Sequence, residues 1–216
     1  DLDEAVKGSI EAIFRNQGEI CLAGSRLLVQ KSIYDQFLDK FVQAVKKIKV
    51  GNPLDPDTDM GALVSRSHLA TVDEYVRIGP SEGARLAVGG KRVTSLGDGN
   101  FYEPTVLYDV DNKMRVAQEE IFGPVIVIIP FETEEEAIQI ANDSIYGLAG
   151  VVWTNDLRRA HRVADQVQSG LLWINCWYVR DLRTPFGGAK ASGIGREGGR
   201  HSFEFYTEAK TITMKR

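Results

Sequence analysis

From Val125 to Ile174 short apolar runs alternate with amphipathic stretches: strand Val125 to Pro130, helix Thr133 through Asn142, strand Gly150 to Trp153, helix Asp156 to Gln166, strand Gly170 to Ile174. Parallel neighbours must be joined by a crossover of roughly a dozen residues, and a helix of this length supplies one. The order therefore predicts an α/β layered fold, a largely parallel open sheet flanked by helices. Upstream, helical periodicity runs from Leu2 to Arg15 and resumes after Ser32, which reads as an N-cap with Ile33, Phe37, Phe41 and Val45 on one face. Asn16-Gln17-Gly18 breaks the first helix, Leu27 to Val29 suits a buried strand, and a turn-rich loop occupies Gly51 to Pro56. A helix from about Ser65 to Ile78 precedes short strands at Leu86 to Val88 and Thr105 to Tyr108, with Gly89 to Tyr102 as surface loop. Near the end, Phe186 to Gly199 is too rich in glycine to be regular, and Thr207 to Lys215 alternates as a final strand.

Composition closes several other routes. The 216 residues are 43% hydrophobic and 26% charged, an ordinary globular balance. A net charge of -4 provides no field to collect polyanions, which argues against nucleic acid as a partner. No apolar run approaches the roughly 20 residues of a membrane-spanning helix. Cys21 and Cys176 stand far apart with no ligand at zinc spacing, so neither a disulfide framework nor a metal site is expected, and a reducing, cytoplasmic compartment fits. The chain opens on Asp1 without a signal-peptide pattern, and a longer parent protein is expected.

Several residues are candidates for chemistry. Gly193-Ile194-Gly195-Arg196-Glu197-Gly198 has the spacing of a dinucleotide fingerprint but does not follow a strand, so it reads as a structural turn. Cys21 lies in a loop between Gly18 and Gly24, where backbone can approach a bound carbonyl and an amide can stabilise an oxyanion; the alternative is a small buried hydrophobe. Cys176 follows the apolar run Leu171 to Ile174 and reads as structural. In Gln118-Glu119-Glu120-Ile121-Phe122-Gly123-Pro124 a carboxylate suits ribose hydroxyls and an aromatic edge suits a nicotinamide, against a plain acidic turn. Arg180 or Arg183 can capture a substrate carboxylate, unless Asp181 or solvent occupies them, and His68 on its helix has a polar face as its simplest explanation.

Taken together these residues resemble the aldehyde dehydrogenase superfamily over essentially the whole chain. Asn16 to Arg26 is similar to its catalytic-cysteine motif, Glu119 to Pro124 to its nicotinamide-side motif, and Pro185-Phe186-Gly187-Gly188 with Ser192 to Glu197 to its C-terminal signature. Gly18-Glu19-Ile20-Cys21 with Asn175 to Arg180 resembles most the 2-aminomuconate and 2-hydroxymuconate semialdehyde dehydrogenases. The resemblance implies Cys21 as nucleophile, Glu120, Phe122 and His68 on the cofactor side, and Arg180 with Arg183, Trp177 and Phe186 toward a carboxylate-bearing aldehyde. It further implies NAD as cofactor, with NADP not distinguished, no metal, and a homodimer or homotetramer. It divides the chain into a catalytic domain at 1–191 and a tail at 192–216 ending in an oligomerisation strand. The cofactor-binding domain, the general base and the oxyanion asparagine are expected upstream of Asp1. Rival readings are a generalist or betaine-aldehyde dehydrogenase, and a non-catalytic binding or assembly module of the same fold.

Overall fold

The computed structural model describes all 216 residues. Helix α1 (Leu2–Phe14) is capped by Asp1, whose carboxylate accepts from the N–H groups of Asp3 and Glu4. Strand β1 (Arg26–Gln30) follows, then α2 (Tyr34–Val45), α3 (Arg66–Ser81), β2 (Arg85–Val88), β3 (Thr105–Tyr108), α4 (Arg115–Gln118) and β4 (Val125–Phe131). Four strands form one sheet in the order β1-β4-β3-β2, with β1 and β3 parallel to β4 and β2 antiparallel at the edge.

Strand β4 explains its own sequence. Its residues from Val125 to Ile129 are all buried, Ile126 and Ile128 packing with α1 and α2, Val125, Val127 and Ile129 with α3 and α4. A strand covered on both faces needs a continuous apolar run rather than an alternating one. Burying five such side chains stabilises the fold by on the order of 10 kcal/mol, an upper figure before chain ordering is subtracted.

The second half comprises α5 (Glu134–Asn142), β5 (Tyr146–Gly147), β6 (Ala149–Val152), α6 (Leu157–Gln166), β7 (Leu171–Ile174), β8 (Ala189–Lys190) and α7 (Arg200–Tyr206). Thr133 and Asp156 cap α5 and α6, as their positions before each apolar repeat imply. Strands β6 and β7 pair in parallel and β5 and β8 antiparallel, each as a separate two-stranded sheet beside the four-stranded one, and the expected α/β fold with a parallel-rich sheet flanked by helices is what the chain adopts.

Local details depart from the expected order of elements at three places. Ser32 does not cap α2: Lys31–Ile33 forms a 3-10 turn, Ile33 is exposed, and Tyr34 joins Phe37, Phe41 and Val45 in the core instead. The short helix α4 is an addition to the expected order of elements. Within the chain Thr207 to Lys215 is not paired as a strand: it has no partner strand there and every residue of it is exposed. Alternation supplies a face, but a strand also requires a neighbour for its N–H and C=O groups. The glycine-rich loop at 193–198 is a turn between the two-residue strand β8 and the seven-residue helix α7, and its Glu197 exchanges a pair of backbone hydrogen bonds with Phe186.

Candidate active site

The loop carrying Cys21 begins where α1 ends. Asn16, Gln17 and Gly18 are consecutively left-handed (φ 51, 47 and 75), which reverses the chain. Gly18 is required there: a side chain would place its Cβ 2.2 Å from the carbonyl oxygen of Gly123. The cysteine loop therefore lies directly against the turn at 119–124. Its far end is held as well, since Gly24 N–H donates to Ala12 O (3.0 Å) and Trp177 Nε1 donates to Leu22 O (3.0 Å). Leu22 is buried beside Ala12, Trp173 and Trp177. Between these anchors Cys21 is exposed, and its own N–H has no backbone acceptor. A pinned loop that leaves one thiol and the adjacent amide uncommitted is what thiol addition to a carbonyl requires.

Glu19, which sequence reasoning passed over, organises the same loop. Its side chain is only 8% exposed. It accepts from Gln17 Nε2 (2.7 Å) and from Val64 N–H (3.0 Å), with His68 Nε2 3.6 Å away. His68 sits in the first turn of α3, where Ser65 Oγ accepts its backbone N–H. Its Nε2 donates to the carbonyl of Phe122 at 2.7 Å, and the two rings meet edge to face. The structure thus brings Cys21's loop, His68 and Phe122 together, with His68 Nε2 engaged by protein rather than open.

The two glutamates of the adjacent turn have different fates. Glu119 takes both ends of the Arg115 guanidinium (2.8 and 2.9 Å) and the Tyr75 hydroxyl (2.6 Å), and these bonds hold its carboxyl down to about 2. Glu120 is exposed and forms no ion pair. Phe122 is 40% exposed on a left-handed residue (φ 57). A free carboxylate and a half-exposed ring on one rigid turn fit a ribose and a planar heterocycle.

The two arginines also separate. Arg183 is tied to Asp181 through its Nε and Nη2 atoms. Arg180 pairs with no carboxylate; its guanidinium lies 4.7 Å from the Phe186 ring centre and 5.8 Å from that of Tyr178. It lines a cleft of about 380 Å³ with Trp173, Val179, Leu182 and Phe186. Cys21 is not in that cleft's wall; Trp177 connects the two regions by packing under Leu22. Cys176 is half-buried against the Trp173 and Trp177 cluster. No three His, Cys, Asp or Glu side chains are grouped to hold a metal ion, and no helix is long and apolar enough to cross a membrane.

A cysteine loop buttressed by an aromatic and carboxylate turn, on this α/β scaffold, defines a class. The aldehyde dehydrogenase family profile matches residues 1–212, and the chain belongs to that family. It is 51% identical over its full length to 2-aminomuconic semialdehyde dehydrogenase of Mus musculus, of which it covers 45%. The solved structure of HpcC from Thermus thermophilus superposes with a TM-score of 0.95 at 49% identity, covering 98% of this chain and 42% of that one. Betaine aldehyde dehydrogenase from Staphylococcus aureus, solved in complex with NAD+, gives a TM-score of 0.93 at 48% identity, covering 95% and 41%. The chain spans less than half the length of the relatives it matches.

Proposed function

We propose that this chain is the catalytic part of an NAD-dependent aldehyde dehydrogenase acting on a semialdehyde that carries a carboxylate. The observation that carries the reading is Cys21, exposed on a loop fixed at both ends with its N–H unpaired. Its thiolate adds to the aldehyde carbon, forming a C–S bond while the carbonyl pair moves to oxygen, and the Cys21 N–H holds that oxyanion. Glu120 and Phe122 would hold the ribose and the ring of a nicotinamide, which when bound would supply the acceptor for the hydride that the thiohemiacetal carbon loses as the C=O re-forms and the adduct on Cys21 becomes a thioester. His68 stiffens this side by fixing the Phe122 carbonyl. Water then releases the acid from the Cys21 thioester, assisted by a base expected from the segment upstream of Asp1. The similarity to a relative solved with NAD+ supports that cofactor.

Arg180 supports the substrate class. An uncompensated guanidinium attracts a carboxylate and repels a quaternary ammonium, which favours a semialdehyde over betaine aldehyde. We further propose that Thr207 to Lys215 pairs with a second copy in a homodimer or homotetramer.

The test is aldehyde-dependent NADH formation by the full-length protein. Cys21→Ala abolishes it and Cys176→Ala retains most of it. The reverse pattern removes Cys21 from the mechanism, and no turnover in the unaltered protein favours a non-catalytic module.

A further inference from the structure

Tyr178 follows β7 on a left-handed residue (φ 63) and carries two guanidinium groups on its ring. Arg180 Cζ is 5.8 Å from the ring centre and Arg15 Cζ is 5.4 Å from it. Both arginines are exposed and neither is ion-paired. The neighbouring carboxylate, Asp181, is already taken by Arg183. Two like charges on one ring repel each other, and stacking on an aromatic face leaves the N–H edges of a guanidinium open for an acceptor. An anion accepting from these open edges offsets that repulsion.

Arg15 is also tied to the nucleophile. It begins the left-handed turn that reverses the chain before Cys21, so its backbone is fixed by the same geometry that fixes the thiol. Arg180 follows the segment whose Trp177 holds Leu22 O, so it too belongs to a stretch anchored to the cysteine loop. A carboxylate has acceptor positions for two forks.

We infer that Arg15 is a specificity-determining residue, forming with Arg180 a two-guanidinium subsite for the carboxylate at the end of the substrate remote from the aldehyde. This rests on the reading of Cys21 given above and adds to it a residue from the cysteine loop itself.

The test compares adipic semialdehyde with hexanal, which have the same chain length and differ in the terminal carboxylate, using the full-length protein. Arg15→Ala lowers the ratio of kcat/KM for the semialdehyde over hexanal by about tenfold, chiefly by raising the semialdehyde KM, as expected for losing one charge-assisted contact at a partly solvated site. Arg15→Lys recovers part of that ratio by restoring charge without the planar fork. Arg85→Ala, which removes an arginine stacked on Tyr108 in the central sheet, leaves the ratio unchanged. A ratio unmoved by Arg15→Ala, or equal losses on both substrates, overturns the inference while leaving Cys21 in place. An unaltered protein that oxidises neither aldehyde removes the reading of Cys21 and this one with it.

Discussion

Replacing Gly18 with alanine tests whether the cysteine loop is held by direct contact with the turn at 119–124. The residue has φ 75, where a Cβ costs roughly 1–2 kcal/mol. The new methyl also meets backbone, not a movable side chain: 2.2 Å from Gly123 O and 2.5 Å from Gly123 C. Contacts of that kind are relieved only by separating the two loops, and overpacking of this order adds about 1–3 kcal/mol. At roughly 2–4 °C per kcal/mol for a chain of this size, Gly18→Ala melts roughly 5–15 °C below the unaltered protein. Gly24→Ala, in the same loop, is the control. Its Cβ meets one neighbour, the Ala12 methyl at 3.3 Å, and it costs less than about 1 kcal/mol. Circular dichroism melts of the two variants decide the matter. If Gly18→Ala melts with the unaltered protein, or Gly24→Ala falls as far, the loop is not braced by the Gly18 and Gly123 contact.

Other consequences concern the frame around the site. Half-buried Arg26, at the start of β1, donates to Asn112 Oδ1 (2.7 Å), Ile140 O (2.9 Å) and Ala141 O (2.9 Å); Arg26→Met strands these acceptors and lowers the urea midpoint by an amount equivalent to about 2–4 kcal/mol, with a value near zero contradicting its bracing role. Burial pushes the Tyr34 hydroxyl up to about 12, so its stabilising contribution is present below pH 10 and is lost as pH rises from about 10 to 12. Tyr34→Phe flattens that alkaline loss of stability in unfolding titrations, and an unchanged slope assigns the loss elsewhere. The 216-residue chain taken alone does not bind NAD at micromolar affinity, because Glu120 and Phe122 address only one end of a dinucleotide; calorimetry showing such binding contradicts this.

Legibility of the sequence follows the range of the interactions. Strand β4 is visible because burial on two faces imposes an uninterrupted apolar run from Val125 to Ile129, and the caps Thr133 and Asp156 act on residues two or three positions away. The Cys21 loop is visible because the residues that break α1 are also those that adopt left-handed backbone. Glu19 escapes notice since a carboxylate beside glycine reads as solvated; its burial depends on Val64 N–H, 45 residues away, and on His68. Likewise nothing local to Arg15 announces Tyr178, nor does the chain's alternation reveal that Arg183 rather than Arg180 takes Asp181. The tail from Thr207 shows the converse: a pattern suited to a strand, with no partner in its own chain to make it one.

The central claim is that Cys21 bears the covalent intermediate. Its most direct measurement is mass spectrometry of peptides from the full-length protein, acid-quenched while oxidising adipic semialdehyde in the presence of NAD. The account predicts an acyl group on the peptide containing Cys21, absent from the Cys21→Ala variant. An acyl group on Cys176, or steady turnover in the Cys21→Ala variant, contradicts it.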